Sequence, residues 1–495
     1  MSVHDSQSCS EYLQLSRRQF LAASGGTALA LGMPAWLPSV AYAEDDCSDR
    51  DVIVTVFLRG AADGLTLCVP HADDLYYTAR PTLNIPRPDA SGTFRAVDLD
   101  GFFGLPPQLA PLLPAYQNGD LLLVHACGST DPTRSHFDAQ RYMEIGKPGD
   151  VGLFTGWLGR HLATSPPFVE NSLLRAIGIG YGLQRALESG PQTISIPDLD
   201  THTLSGSMAT VAARRTVISA MHALQGDALS AAATTAQQTI DLLGTIDFAG
   251  YVPEDGASYG TDGLSLALKS TAALIKAEVG VEAVAIDVGG WDNHVNQGVV
   301  IGGAMSNNMT RLATGLAAFH ADLFSGLRRN VTLVVMSEFG RRLLQNGSLG
   351  TDHGHGNVMF LMGPGVDGGR VLANWPGLDE TELFEGRDLA VTTDFRDVLA
   401  EIVSLRLGNP SLDVVFPGYT PTFRGVTRSC EPGGGDLNCD GILTYEDSGA
   451  MAQLLTDREA FEVAHPDCPE SEADLNADGQ INGLDIQEFV RRVAP

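Results

Sequence analysis

Residues 281–294 read V-E-A-V-A-I-D-V-G-G-W-D-N-H, an apolar run that ends in two glycines and then in side chains capable of chemistry. A short aliphatic run closed by glycine is a buried strand, because it is too brief for a helix and rich in β-branched residues. The same grammar recurs. N-V-T-L-V-V-M (330–336) runs into S-E-F-G-R (337–341), D-V-I-V-T-V-F-L (51–58) into R-G-A-A-D-G (59–64), and D-L-L-L-V-H-A (120–126) into C-G-S-T-D-P-T-R-S-H-F-D (127–138). Helical segments alternate with these strands. Among them T-T-D-F-R-D-V-L-A-E-I-V-S-L (392–405) is expected to be a capped amphipathic helix. Apolar strands alternating with helices imply an α/β fold, with a mainly parallel sheet covered by helices on both faces. In such a sheet the active site collects beyond the carboxyl ends of the strands.

Further along, G-T-D-H-G-H-G (350–356) packs Asp352, His353 and His355 among glycines, where a core histidine would sit among apolar residues. Glycine lets chain and side chains crowd around a cation, and imidazole and carboxylate are its ligands. This cluster, D-N-H (Asp292, His294) and Glu338 are read as one site. His125 and His136 stand singly and read as structural histidines. The 495 residues, 44% hydrophobic and 18% charged, suit a multi-domain globular protein. A formal net charge of −29 argues against a nucleic acid or an anionic membrane as partner.

The N-terminus carries S-R-R-Q-F-L (16–21), an uncharged run to Leu37 and A-Y-A (41–43). Residues 1–43 thus resemble a twin-arginine signal peptide, which implies a periplasmic or secreted product with no membrane span after cleavage. Glycines and Pro34 within the run count against a permanent anchor. No C-x-x-C spacing occurs among the seven cysteines, and an oxidising compartment favours pairing. Cys439 with Cys468 is the expected pair, both in the C-terminal module.

That module, 436–495, follows a Gly/Pro linker at 425–435 and contains two matching segments, D-L-N-C-D-G-I-L-T-Y-E-D (436–447) and D-L-N-A-D-G-Q-I-N-G-L-D (474–485). Oxygen donors at positions 1, 3, 5, 9 and 12, a glycine at 6 and a backbone carbonyl at 7 make a calcium loop. The ligands are Asp436, Asn438, Asp440, Ile442, Thr444 and Asp447, then Asp474, Asn476, Asp478, Gln480, Asn482 and Asp485. Fourteen Asp and Glu against three Lys and Arg from 436 onward call for such cations. The duplicated loop resembles a type I dockerin, a small all-α EF-hand-like module, and implies a cohesin-like or other cell-surface partner. Yet Tyr445–Glu446 and Gly483–Leu484, at the docking positions, match neither each other nor the hydroxyl pair of well-known dockerins.

L-R-G-A-A-D-G, S-H-F-D-A-Q, G-G-W-D-N-H, S-E-F-G-R-R, N-G-S-L-G-T-D-H-G-H-G and T-T-D-F-R-D together resemble the DUF1501 family across residues 51–424. The resemblance implies a fold similar to the alkaline phosphatase and sulfatase superfamily, with a divalent metal such as Zn2+, Mn2+ or Mg2+ held by Asp and His. It makes Asp63 a further ligand, and sets Glu338 where many relatives carry an Asp-His pair. Arg59 and Arg341 would fork onto an anionic ester, and Thr130 or Ser135 would be the nucleophile. T-D-P-T-R (130–134) is similar to the C-x-P-S-R of sulfatases, but threonine cannot become formylglycine, so ordinary sulfatase chemistry is disfavoured. Ser135 reads equally well as a helix N-cap. The expected substrate is an anionic small-molecule or polysaccharide ester. Non-catalytic binding of a metal or glycan, or a purely structural surface role, are the alternatives.

Overall fold

A computed structural model describes residues 50–204, 206–223, 228–300, 302–325, 329–428, 435–438, 447–466, 468–475 and 480–493. The signal segment, most of the linker, Cys439 and the loop positions Asp440, Ile442, Thr444, Asn476 and Asp478 lie outside these residues. The chain divides into two compact units: Asp45–Gly433 is one, and Gly434–Pro495 belongs to the other.

The strands in chain order are β1 (Val52–Leu58), β2 (Val97–Asp98), β3 (Gly104–Leu105), β4 (Leu121–Gly128), β5 (Ala176–Ile179), β6 (Thr193–Ile196), β7 (Ala283–Val288), β8 (Val331–Met336), β9 (Arg341–Gln345), β10 (Thr351–His353), β11 (Asn357–Met362), β12 (Arg370–Leu372) and β13 (Thr393–Asp394). Among the described residues nine of them form one sheet, ordered β12-β4-β11-β8-β1-β7-β5-β6 with β13 beside β4. The sheet is mixed but mainly parallel. Only β11 runs against its neighbours, β4 and β8. β9 with β10 and β2 with β3 form two small antiparallel ribbons.

The strands expected from sequence are where the apolar runs placed them, and their alternation splits the core in two. Val52, Val54 and Val56 face the side covered by helices Gly263–Lys276 and Ala304–Phe324. Ile53 and Phe57 face Trp157, Phe395, Val398 and Phe416 on the other. Each such buried side chain contributes roughly 1.5–3 kcal/mol. A charge in place of Val54, which is fully buried, would therefore break the central strand.

The segment expected to be an amphipathic helix forms helix Phe395–Glu401, capped by Asp394, whose carboxylate accepts from Arg396 N at 2.9 Å, and continues as a π turn, Ile402–Arg406. Its polar face is not left to solvent. Residues 419–427 cover its outer side, where Asp397 accepts from Tyr419 Oη (2.6 Å) and Glu401 accepts from the backbone N–H groups of Arg424 (2.6 Å), Gly425 (2.9 Å) and Thr427 (2.9 Å). In the C-terminal unit, helices Asp447–Thr456, Arg458–Ala464 and Gly483–Val493 pack around Leu437, Met451, Leu454, Phe461 and Phe489.

Candidate metal centre

The loops after β1, β4, β7 and β8 emerge at one end of the sheet, the carboxyl end of the parallel strands. Because β11 is antiparallel, the chain enters it at this same end, so the β9–β10 ribbon just before it lies there too. His136, the first residue of helix His136–Ile145, meets Asp292 and His353 here. One ligand atom from each of the three lies within 4.8 Å of the others, so together they could hold a metal ion.

Each imidazole is oriented by a second residue. Glu338, fully buried, takes His136 Nδ1 at 2.8 Å on Oε1, which also accepts from Gly60 N (2.8 Å) and Gln140 Nε2 (2.8 Å), while Oε2 accepts from Ser337 Oγ (3.0 Å). That leaves His136 Nε2 buried with no hydrogen-bond partner, 3.5 Å from Asp292 Oδ2. His353 Nδ1 lies 3.0 Å from the Arg134 carbonyl, which can only accept, so Nδ1 carries the proton and Nε2 a lone pair. His294 Nδ1 lies 3.3 Å from Asp352 Oδ1, itself an acceptor for Asn346 Nδ2 at 3.0 Å. Its Nε2 stands 2.9 Å from His353 Nε2 and 3.0 Å from Asp292 Oδ1. Imidazoles turned nitrogen to nitrogen around a carboxylate form a donor set of the kind that takes zinc or a similar ion, with the other nitrogens fixed by carboxylate or carbonyl.

The charges favour the ligand forms of Asp292 and His353 and oppose that of His136. Burial opposes ionisation of Asp292, but Arg341 (Nη2 to Oδ1, 2.7 Å) and the neighbouring histidines outweigh it and hold the carboxyl down at about 2. The bond to Glu338 raises His136, against the effect of burial. Burial and then Arg341 lower His353, which favours the neutral ligand form. Glu338 would be raised by burial, yet the donors on it, His136 first, hold it below its usual value.

The structure thus brings Asp292, His294 and His353 together, with Asp352 behind His294, Glu338 behind His136 and Arg341 on Asp292, and it engages the remaining candidates elsewhere. Asp63 is engaged elsewhere: Oδ2 accepts from Arg80 Nη1 (2.6 Å), Thr66 Oγ1 (2.8 Å) and Gln297 Nε2 (2.7 Å), and Oδ1 from Arg80 Nη2 (3.0 Å). His355 packs flat on Phe384, ring centroids 4.1 Å apart, and burial lowers it to about 4. Glu338 orients His136 and is no member of the trio. Arg59 is held by Glu144 (2.9 Å through each terminal nitrogen) and by Asp287. Arg341 serves the carbonyls of Gly60 (2.5 Å), Ala61 (2.6 Å), Thr351 (3.0 Å) and Trp291 (3.2 Å) besides Asp292. Ser135 caps its helix, its Oγ accepting from Asp138 N at 3.4 Å, and Thr130 is exposed.

Glycine's part is also different from the expectation. A Cβ on Gly354 would lie 2.3 Å from the Arg341 carbonyl carbon, and one on Gly60 (φ +114°) 2.6 Å from Asp292 N. These glycines let backbone meet backbone around the site; they do not crowd the cation. His136 is the residue whose role single-residue reasoning understated. Its signal was S-H-F-D, a histidine opening a helix after a strand. His125 is indeed structural: it is fully buried and its Nε2 lies 2.9 Å from Cys68 O.

In the C-terminal unit, the last carboxylate of each loop folds back over the loop's start. Asp447 Oδ1 accepts from Leu437 N (3.0 Å) and Asn438 N (3.1 Å), ten and nine residues back, and Asp485 Oδ1 from Leu475 N (2.9 Å), ten residues back. Asp485 Oδ2 also accepts from Asn482 N at 2.8 Å. Asp436 is buried, Gln480 exposed, and Asn438, Asp474 and Asn482 lie between. Cys468 is disulfide-bonded.

No curated protein matches the chain. Among solved structures it is similar to the C-terminal periplasmic domain of EcEptC from Escherichia coli, at 10% identity and TM-score 0.32 over 79% of this chain and 94% of that one. A zinc complex of that domain matches at 11% identity and TM-score 0.28, over 66% and 76% of the two chains. A 2-O GAG sulfatase matches at 11% and 0.31, over 72% and 71%. Residues 254–404, the stretch that supplies Asp292, His294, Asp352 and His353, match the model of the DUF1501 family, described as a protein of unknown function.

Proposed function

We propose that the chain is an exported, metal-dependent hydrolase of phosphate or sulfate esters, with a dockerin-like calcium-binding module for attachment. The carrying observation is the buried, unpartnered Nε2 of His136, which faces Asp292 within ligand distance of His353. A polar nitrogen kept from water without a partner costs about 1–3 kcal/mol. A cation repays that cost. His136, Asp292 and His353 would hold it with His294 adjoining, and when bound it supplies Lewis acidity that stabilises charge on a phosphoryl or sulfuryl oxygen. The protein's own part is to orient both rings, Glu338 and the Arg134 carbonyl taking the Nδ1 protons so that Nε2 faces the cation, and to keep Asp292 ionised through Arg341; because the Glu338 bond also favours the protonated His136 ring, the ion would displace a proton there.

One observation favours the second reading, a non-catalytic binder of metal or glycan. Arg59 and Arg341, the arginines expected to grip the ester, are both spent on internal acceptors. Elemental analysis with calcium counted apart from transition metals, followed by turnover of aryl phosphates and aryl sulfates, decides between the two. Stoichiometric zinc, manganese or magnesium with turnover supports the hydrolase. The same metal without turnover supports the binder, and calcium alone removes the metal-dependent hydrolase and leaves a glycan-binding or purely structural role.

A further inference from the structure

We infer that Arg134 and Asp388 are a positioning pair for the metal centre, their ion pair setting the backbone carbonyl that fixes the His353 ring; this rests on the metal-centre reading above. The Arg134 carbonyl receives the Nδ1 proton of His353 at 3.0 Å and so leaves Nε2 turned toward Asp292 Oδ1, 3.3 Å away. A carbonyl can orient a ring only if its own chain is held. Between Thr130 and Arg134 the other hydrogen bonds among the described residues span two positions each: Asp131 N to Ser129 Oγ (3.2 Å), Thr133 N to Asp131 Oδ1 (2.9 Å) and Ser135 N to Thr133 Oγ1 (3.3 Å). Such bonds shape a turn without tying it to the rest of the molecule. The tie is the Arg134 side chain. Its Nε donates to Asp388 Oδ2 at 3.1 Å, and its Nη2 donates to the same oxygen and to Glu385 Oε2 (2.9 Å).

Asp388 also holds the other partner of that contact. Its backbone bridges Arg342 of β9, the strand paired with the β10 strand that carries His353, and the adjoining Arg387 carbonyl accepts from Leu343 N at 3.2 Å. Through its main chain Asp388 braces the ribbon, and through its side chain it braces the loop that supplies the acceptor. The carboxylate is fully buried, yet its Oδ1 has no hydrogen-bond partner. A buried ion pair so incompletely satisfied adds little stability over apolar residues of similar volume. What it supplies is the distance between His353 and its acceptor.

The test uses the full chain with calcium present to fill the C-terminal loops, and measures zinc affinity against a competing chelator in the wild type, in Asp388→Asn and in the double variant Arg134→Met with Asp388→Leu. Zinc held about 10–100-fold more weakly in both variants, as for other outer-shell changes, is the expected result, with the visible bands of the cobalt-loaded protein altered and the double variant unfolding no earlier than the wild type. A purely structural role would lower stability and leave zinc affinity and the cobalt bands unmoved. Undiminished zinc affinity in the folded double variant overturns the inference and leaves the metal centre standing. No zinc in the wild type removes the metal centre and the inference with it. Should neither variant fold, Arg134→Lys decides, because it keeps a cation for Asp388 but not the planar fork: weaker zinc with altered cobalt bands supports the pair, and unchanged values refute it.

Discussion

The two ends of the main sheet are both rich in buried charge, and they handle it in opposite ways. At the amino end each carboxylate has its own basic partner. Asp51 receives Arg406 (2.8 and 3.2 Å) and Thr332, Glu282 receives Arg175 (2.5 and 2.8 Å), and Asp120 pairs with His320 (2.9 Å). At the carboxyl end, the exposed Asp292 is shared by Arg341, His136, His294 and His353, Asp352 and the buried Glu338 stand behind two of these rings, and one imidazole nitrogen is left over. Paired buried charge holds strands in place; unpaired basic nitrogens around one carboxylate cost stability and persist where a ligand completes them. The first end reads as scaffold and the second as the candidate site.

The comparison breaks first at the site. Asp292→Ala should abolish transition-metal binding outright, read by elemental analysis, with the fold retained; unchanged metal content would mean that the surplus nitrogens serve another purpose. Asp51→Ala should do the reverse, costing about 3–5 kcal/mol by leaving Arg406 uncompensated, with metal content unchanged in whatever folds. Denaturant unfolding measures this.

Acid should act between the two ends, through His125 in β4. Burial depresses its pKa to about 4, below the free value of about 6.5, so folding favours the neutral ring. The resulting stability is complete above about 6.5, and about 3 kcal/mol is lost as pH falls to about 4. His125→Gln should remove its share of that limb and leave the shares of His355 and His161, which burial also lowers, and an unaltered limb would refute the assignment. Glu338→Gln should weaken metal affinity by about 10–100-fold with little change in unfolding, because the amide no longer fixes the His136 ring as a charged acceptor. Smallest is Ser135→Ala, about 1 kcal/mol of helix-capping energy. If it also eliminated turnover of an aryl ester, Ser135 would be the nucleophile and not merely the cap.

Much of this was legible in the linear order of residues. Runs such as V-I-V-T-V-F-L become strands because alternation and length act locally, and the polar clusters that follow them land at one sheet end because strands and crossovers leave little topological choice. Asp292, His294, Asp352 and His353 were visible for that reason. Their neighbours in the motifs were not separable from them. Asp63 and His355 carry the same chemistry in the same kind of loop, yet one is captured by Arg80, seventeen residues on, and the other by the Phe384 ring. Arg341 was visible as a cation, but not as one that would serve the site's own aspartate and four backbone carbonyls.

The sequence by itself determined the α/β class, the strands of the sheet, the candidate ligands and the duplicated acidic loops, since each follows from periodicity or from donor types at fixed spacing. Only the tertiary structure decided which polar groups are already satisfied. That depends on the one reversed strand, β11, which brings the β9–β10 ribbon to the carboxyl end of its neighbours, and on burial, which makes every hydrogen-bond partner count. Desolvation and long-range pairing are properties of the folded packing, so no local pattern could distinguish the carboxylate that waits for a cation from the one that already has Arg80.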